Sequence, residues 1–495
     1  MKLKALSLAI STLILASAAN ADNVDFGKQV ENLAKENAET LFGTKGTLGA
    51  CSSVSVDSFT ANANPLSMIT VAPGLKATVV SAASNLGKAP DMMVLWPNDT
   101  KPTHIIECNE ETGPAGAGGL QRIRLSDGFV ENIIASPLNS CDPVEITPWG
   151  TIIAGEEAGI NGRIFEILDP LSTESTNVTI SGTGAATTTD SPNVRVVASL
   201  GQLSFEGISV MPNGVIYYQD ESRPSNGNGG GGYFKFIPNT LWTGGASITS
   251  LDNSPLTSGG RVFALRLGRN GGNTDFGQGN AAGRGVWVEV VDDTVIGTTT
   301  INRNNLRAAA LALKATTGYR PEDQDIDKKA ALNGKVRVCG TNTGQDTTTV
   351  KPDGITPNLN GDNNFGTTFC ITDGTLDEAA AGTSIPEYQT LIEHYLDFGM
   401  PDNIAYQPGR GNWIINEDGD GATYTPPRNN DIWSCLDDGE DKDQLSDACV
   451  KIATLNDLTA ETSGGTFNAT GKEYYVSIQH NITGHGAIIK ITGWK

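Results

Sequence analysis

Histidine is scarce in this 495-residue chain; only His104, His394, His480 and His485 occur. That argues against a zinc centre built mainly of imidazoles. No Gly-x-Ser-x-Gly elbow and no phosphate-binding Walker loop is present, so Ser-His-Asp hydrolysis and P-loop chemistry have no support. The run Gly227-Asn228-Gly229-Gly230-Gly231-Gly232 formally fits a dinucleotide fingerprint. That motif must open a helix, and here the strand-like Tyr233-Phe234-Lys235-Phe236 follows. Past the first residues no apolar stretch approaches the roughly twenty residues needed to cross a bilayer. Positive charge is also short: 34 Lys and Arg face 56 Asp and Glu, for a formal charge of −22. Such a chain repels nucleic acid and anionic membranes. It repels a phosphate substrate too, unless cations reverse the sign locally. The acidity as a whole serves solubility; its local clusters carry the information.

The amino terminus reads as a secretory leader. Lys2 and Lys4 precede an apolar run over 6–15, and Ala19-Asn20-Ala21 supplies a small-x-small cleavage pattern. Residues 1–21 are therefore expected to be removed, with Asp22 opening a mature chain that is periplasmic or extracellular. No Arg-Arg pair precedes the run, which implies export before folding and metal loading outside the cytoplasm. Seven cysteines are compatible with an oxidising compartment: Cys51, Cys108, Cys141, Cys339, Cys370, Cys435 and Cys449. Cys435 can pair with Cys449 and Cys339 with Cys370. Seven is odd, so one thiol is left over unless it pairs between chains.

Residues 28–43 have helical spacing, with Val30, Leu33, Ala34 and Leu41 on one face. From Pro65 onward the pattern becomes short β-type runs, at 75–80, 92–96, 152–154, 215–218, 233–237, 262–267, 286–291, 335–338, 413–415 and 474–478. Turn residues punctuate them, and 58 glycines fit many tight turns. Two segments break the pattern and are predicted helical: the Ala/Leu-rich 303–316, and 386–398 with Leu391, Ile392, Tyr395 and Leu396 in helical spacing. Gly-, Asn-, Ser- and Thr-rich stretches at 181–192, 225–232, 249–260 and 340–368 read as surface insertions. The expectation is an all-β protein, a β-propeller or large sandwich with inserted helices and long loops. Residues 22–64 would form an N-terminal helical or extended segment and 65–495 one domain, as a monomer. No exact repeat is visible.

Carboxylates collect at strand ends: Asn109-Glu110-Glu111, Glu156-Glu157, Glu206-Gly207, Asp220-Glu221, Arg320-Pro321-Glu322-Asp323 and Asp402-Asn403. A propeller would draw such ends together near its axis, where like charges need cations between them. Asn416-Glu417-Asp418-Gly419-Asp420-Gly421 resembles the first half of a calcium loop, but Pro427 stands where the closing Glu belongs.

Several of these stretches, in order, resemble the PhoX-type alkaline phosphatases. Cys141, then Thr147-Pro148-Trp149-Gly150-Thr151 and Glu156-Glu157, is similar to one signature of that family. Asn109-Glu110-Glu111, Phe205-Glu206-Gly207, Arg320-Pro321-Glu322-Asp323 and Pro401-Asp402-Asn403 resemble others. So do Gly411-Asn412-Trp413-Ile414 with Asp418-Gly419, and Val476-Ser477-Ile478-Gln479-His480. The resemblance spans roughly 65–485. It implies a six-bladed β-propeller with Ca²⁺ and Fe³⁺ at one end of its channel, acting on small-molecule phosphate esters. It implies Cys141 as the thiolate ligand of iron, Glu206 and Glu322 bridging metals, Asn109 and Glu111 serving calcium, and Asp402 as a further ligand. Arg320 would clamp the phosphate with its planar fork. Arg320, Glu322 and Glu206 are thus the expected catalytic residues, with attack by a metal-bound oxide, hydroxide or water. The chain departs from the family pattern at Phe205 and Glu110, where histidine is usual, and at Gly155, where cysteine is common. The competing expectation is a calcium-binding propeller without turnover, in which Cys141 instead pairs with Cys108 or Cys51.

Overall fold

The computed structural model describes residues 26–111, 119–134, 138–175, 180–181, 187–188, 192–223, 230–268, 282–292, 303–344, 365–419, 424, 426–439 and 443–495. Each of the ten β-type runs named above falls on a strand. Successive strands pair antiparallel as meanders. The first meander is Pro90–Trp96, His104–Asn109, Gly119–Arg124 and Val130–Ile134; the second is Cys141–Ile146, Ile152–Glu156, Ile164–Ile167 and Val194–Val196. A third starts at Phe205–Val210 and Ile216–Asp220, and a fourth at Pro321–Ile326 and Lys335–Asn342; these two join edge to edge. The fifth starts at Pro401–Tyr406 and Trp413–Glu417, the sixth at Glu461–Phe467 and Glu473–Gln479.

The first strand of each meander packs beside the first strand of the next. Glu461–Phe467 packs back on Pro90–Trp96, so the ring closes. This is a β-propeller arrangement, as expected. Closure also uses the chain's N-terminal part: Lys76–Ser81 pairs with Ala487–Thr492, and Ile69–Val71 with Cys449–Leu455. Pairing both ends of the chain into the ring leaves fewer open strand edges. Apolar side chains fill the gaps between sheets, such as Ile106, Leu120, Ile152 and Phe165 between the first two. The helices Phe26–Glu36 and Ala38–Leu41 meet the expected helical segment, broken at Asn37; Ala34 and Phe42 enter the same apolar core as Ile414 and Ile452.

The six first strands share a device. Five have a register shift at or just after their start, at Pro90/Met93, Cys141/Val144, Glu206/Ile208, Pro321/Gln324 and Pro401/Ile404; in the sixth it falls mid-strand at Ser463/Thr466, beyond Glu461. A bulge breaks the strict in-out alternation and re-aims a side chain. Here it lets acidic side chains leave an otherwise buried strand at one end of the ring.

Several expectations need correction. The predicted helix over 386–398 is the strand Glu387–Glu393, paired with Thr367–Thr375. Its apolar spacing misled because Leu391 and Ile392 are buried in the sheet, whereas Tyr395 and Leu396 are exposed in the following turn. The other predicted helix is present as Leu306–Ala312. The stretch 249–260 is not purely surface, since Leu251 and Leu256 are buried. Gly231 and Gly232 begin a strand, as the reading against a dinucleotide site required. Much of 181–192 and 340–368, and the leader 1–21, lie outside the described residues. Among the described residues no helix is long and apolar enough to cross a membrane.

Cys339–Cys370 and Cys435–Cys449 are disulfides, as read from the sequence, and Cys51 is the leftover thiol. Cys108–Cys141 is the third bridge. The assignment of Cys141 as an iron thiolate is therefore corrected: its sulfur is committed to Cys108, and a disulfide sulfur offers a metal no thiolate charge.

Candidate metal and phosphate site

Each meander places two positions at the same end of the ring. The first is at the start of its opening strand: Asp91, Asp142, Glu206, Glu322, Asp402 and, in the last meander, Glu461. The second is the residue just after its second strand: Glu110, Glu157, Glu221, Thr343, Asp418 and His480. All of these except Thr343 line one pocket of ≈ 790 Å³, together with Arg223, Arg307, Arg320, Gln479 and others. Thr343 lies just behind, and its Oγ1 donates to Glu322 Oε1 at 3.0 Å. Four residues at this end hold left-handed backbone despite being non-glycine: Ser140 (φ 45°), Arg320 (φ 55°), Met400 (φ 56°) and His480 (φ 52°). Such conformations cost on the order of 1 kcal/mol or more each and concentrate at functional sites.

Ten carboxylates thus face three guanidinium groups. Asp91, Asp142, Glu206, Glu322 and Asp402 are nearly or fully buried. Their proton affinities record the crowding. Burial, opposed by bonds from Ser463 and Asn403 but reinforced by Asp418, pushes Asp91 up to about 6. Burial and the Glu221 charge push Glu157 up to about 7. Glu110, Asp142, Glu206, Glu322 and Asp402 are raised well above the carboxylate range, first by burial and then by neighbouring pocket carboxylates, with Arg320 opposing the rise at Glu322. Oxygens of Asp142 and Glu206 lie within 4.8 Å of each other, so the two charges oppose joint ionisation.

The donor set fits hard cations. Oxygens of Asp91, Glu110 and Asp142 lie within 4.8 Å of one another, as do those of Asp142, Glu157 and Glu206. Asp142 belongs to both groups. Asp142 Oδ1 and Gln479 Oε1 are buried acceptors without a donor. Unpaired buried acceptors beside clustered carboxylates are what oxygen-seeking ions such as Ca²⁺ satisfy.

Arg320 stands on one wall. Its Nε donates to Glu221 Oε1 at 2.8 Å, and Nη2 lies 3.2 Å from Glu322 and 3.5 Å from Asp418. Burial works against its charge, but Glu322, Asp418 and Glu221 outweigh burial and raise its proton affinity. It stays a cation at every working pH.

Of the residues expected from sequence, Glu206, Glu322, Asp402 and Arg320 converge here. Asn109 and Glu111, expected to serve calcium, do not, although Asn109 Oδ1 is a buried acceptor without a donor. Asn109 is fully buried and donates to Glu107 at 3.1 Å; Glu111 pairs with Lys88 at 2.9 Å, about a third exposed. Neither lines the pocket; the residue between them, Glu110, does. Glu156 likewise is consumed by Arg163 at 2.6 and 2.7 Å, leaving Glu157 to the site. The calcium-loop reading also fails in its first half. Asn416 is bonded to Gly464 and Tyr474, and Glu417 forms a buried pair with Arg428 at 2.6 Å. Only Asp418 reaches the pocket, and Asp420 lies outside the described residues. Glu110→Gln is expected to lower metal affinity and turnover at least tenfold, whereas Glu111→Gln should leave both within about twofold. Parallel calorimetric titrations with Ca²⁺ check this.

Asp91, Asp142 and Glu461 were missed, and Arg307 with them. A signal existed: Pro90-Asp91, Cys141-Asp142, Phe205-Glu206, Pro321-Glu322 and Pro401-Asp402 repeat one theme. They lie 51, 64, 116 and 80 residues apart, so insertions hide the period.

A model of the family described as alkaline phosphatase PhoX matches residues 98–481. The chain belongs to the PhoX alkaline phosphatase family. Among solved structures, Pseudomonas fluorescens PhoX in complex with vanadate, a transition state analogue, superposes with a TM-score of 0.58 at 14% identity, covering 90% of this chain and 98% of that one. At that identity the likeness shows the shared fold. A calcium structure of Trichoderma reesei Carbohydrate-Active Enzymes Family AA12 matches at TM-score 0.37 and 14% identity, over 91% of this chain and 100% of that one. No curated protein matches.

The raised carboxylates have a consequence for stability. Asp91 and Glu157 hold protons more tightly folded than unfolded, so their contribution is fully present below about pH 4 and is lost as pH rises through about 6 and 7. Metal-free protein is therefore expected to melt several degrees lower at pH 8 than at pH 5. Millimolar Ca²⁺ should reverse that slope, because binding favours the ionised carboxylates. Differential scanning calorimetry at both pH values, with and without chelator, measures it.

Proposed function

We propose that this chain is an exported, metal-dependent phosphatase that hydrolyses phosphate monoesters. The observation that carries this reading is the convergence of Arg320 and ten carboxylates on one pocket, in a chain of a phosphatase family. Asp91, Glu110 and Asp142 would hold one cation, and Asp142, Glu157 and Glu206 another. Glu322 and Asp402 extend the oxygen shell. Bound cations would offset the carboxylate charge, accept phosphoryl oxygens and make water acidic enough to supply a nucleophile.

The chain's own residues do the rest. Arg320 offers its fork to the equatorial phosphoryl oxygens, where negative charge is held in the transition state. Glu221 and Asp418 fix the orientation of that fork from two sides. Thr343 holds Glu322 toward the pocket. With Cys141 removed from the ligand set, the donors are oxygens, which suits Ca²⁺ directly and Fe³⁺ as a second hard ion. We further read the ring as six blades formed by 65–495, with 22–64 seated on it. Residues 1–21 would be the export leader, and three disulfides suit the compartment it leads to.

The test is phosphate release from a chromogenic monoester at alkaline pH. Turnover that chelation abolishes and metal restores is the expected result. Calcium binding with no turnover would instead favour the non-catalytic propeller, the reading that loss of the Cys141 thiolate leaves open.

A further inference from the structure

The pocket is much larger than a phosphoryl group, and its ≈ 790 Å³ is the size of a site that encloses a whole small molecule. Its walls are also unlike one another. The three pocket arginines gather around one residue, Glu221. Arg320 Nε bonds Glu221 Oε1, Arg307 Nη2 donates to the Glu221 carbonyl at 2.8 Å, and Arg223 Nε lies 4.0 Å from Glu221 Oε1.

Arg307 is built in rather than incidental. It belongs to the helix Leu306–Ala312, which Asn305 caps and whose Leu306 and Ala310 are buried in the apolar core. Leu306 packs directly over Gly201, where any Cβ would come within 2.4 Å of it. The anchored helix delivers Arg307 to the buried Asp220, gripped through Nε and Nη2 at 2.6 Å each. A guanidinium has five donors in a rigid plane, so one two-pronged grip leaves donor capacity on the same group. Arg307 remains about a quarter exposed, and Arg223 more so. Bound cations would draw the acids of the opposite wall into coordination, leaving this wall as the electropositive part of the pocket.

We propose that Arg307 and Arg223 form a second oxyanion subsite. It would take a carboxylate or second phosphate on the leaving group of a monoester whose scissile phosphate sits on Arg320. The preferred substrate class is then phosphorylated small acids and bisphosphorylated compounds rather than neutral phospho-alcohols. This rests on the phosphatase reading and goes on to select among its substrates.

Two substrates with one skeleton test it: 3-phosphoglycerate carries a carboxylate where glycerol 3-phosphate carries a hydroxymethyl group. The metal-loaded full chain is expected to favour 3-phosphoglycerate in kcat/KM by about ten- to a hundredfold, the size of one or two charge-assisted hydrogen bonds. Arg223→Ala and Arg307→Lys should each pull that ratio toward one. Glycerate should inhibit competitively better than glycerol, and Arg223→Ala should erase the difference. Arg307→Lys keeps a cation beside Asp220, and Arg223 is surface-exposed, so at least one variant folds. Bisphosphorylated against monophosphorylated sugars form the second arm. A preference in either arm that the variants reduce supports the subsite. Equal turnover of both members of each pair, or a preference untouched by both variants, overturns it while leaving the phosphatase intact. Absence of turnover on every ester contradicts the phosphatase reading itself.

Discussion

Replacing Arg320 by alanine is expected to lower kcat/KM for a phosphate monoester by about a hundred- to a thousandfold, the loss typical of removing one preorganised donor from a transition-state site. Arg320 is the guanidinium that contacts both Glu322 and Asp418, so it stands where cation shell and phosphoryl group would meet. The same substitution leaves those carboxylates less compensated, which makes the metal-free protein less stable. The two effects separate in one experiment. Arg320→Lys restores the charge, and with it stability, but a point charge lacks the fork and should recover only a minor part of kcat. Steady-state kinetics and thermal midpoints of both variants check this. Wild-type kinetics in either variant would remove Arg320 from the mechanism.

Asp142→Asn is expected to act on the metals. Asp142 is the one residue common to both clusters of converging oxygens, and its Oδ1 has no donor. Loss of its charge should weaken cation binding at least a hundredfold and reduce turnover in proportion at sub-saturating metal. The stability signature runs the opposite way. Asp142 is buried among Asp91, Glu110 and Glu206, so neutralising it removes repulsion from the metal-free fold. At pH 8 with chelator the variant should melt above wild type; with millimolar Ca²⁺ it should melt below. Such a crossing is hard to obtain from a generally damaged fold. Calorimetry in the two buffers, with elemental analysis of each preparation, measures it.

What the sequence disclosed, and what it hid, has a physical pattern. Short apolar runs between turn residues specified strands well, because sheet faces in a propeller are buried locally and leave a local signal. The 386–398 stretch was the exception, since its pairing with Thr367–Thr375 is set by a partner some twenty residues away. The site divides similarly. Glu206, Glu322, Asp402 and Arg320 were reachable through motifs. Choosing Glu111 over Glu110 missed the pocket by one residue. Which side chain turns inward depends on where the strand His104–Asn109 ends, and strand ends are poorly marked in sequence. Asp91 and Asp142 depend on bulges at Pro90/Met93 and Cys141/Val144, which have no composition of their own. Cys141 had two chemically sound fates. Only the spatial approach of Cys108 from the neighbouring meander decided between them.

The most direct test of the account is where cations bind. Crystals grown with Mn²⁺ as an anomalously scattering stand-in for Ca²⁺ should show difference peaks inside the ring. One peak is expected between Asp91, Glu110 and Asp142, and another between Asp142, Glu157 and Glu206, at oxygen distances normal for a hard divalent ion. Fully loaded crystals with no peak among these carboxylates, or with peaks confined to other surfaces, would contradict it.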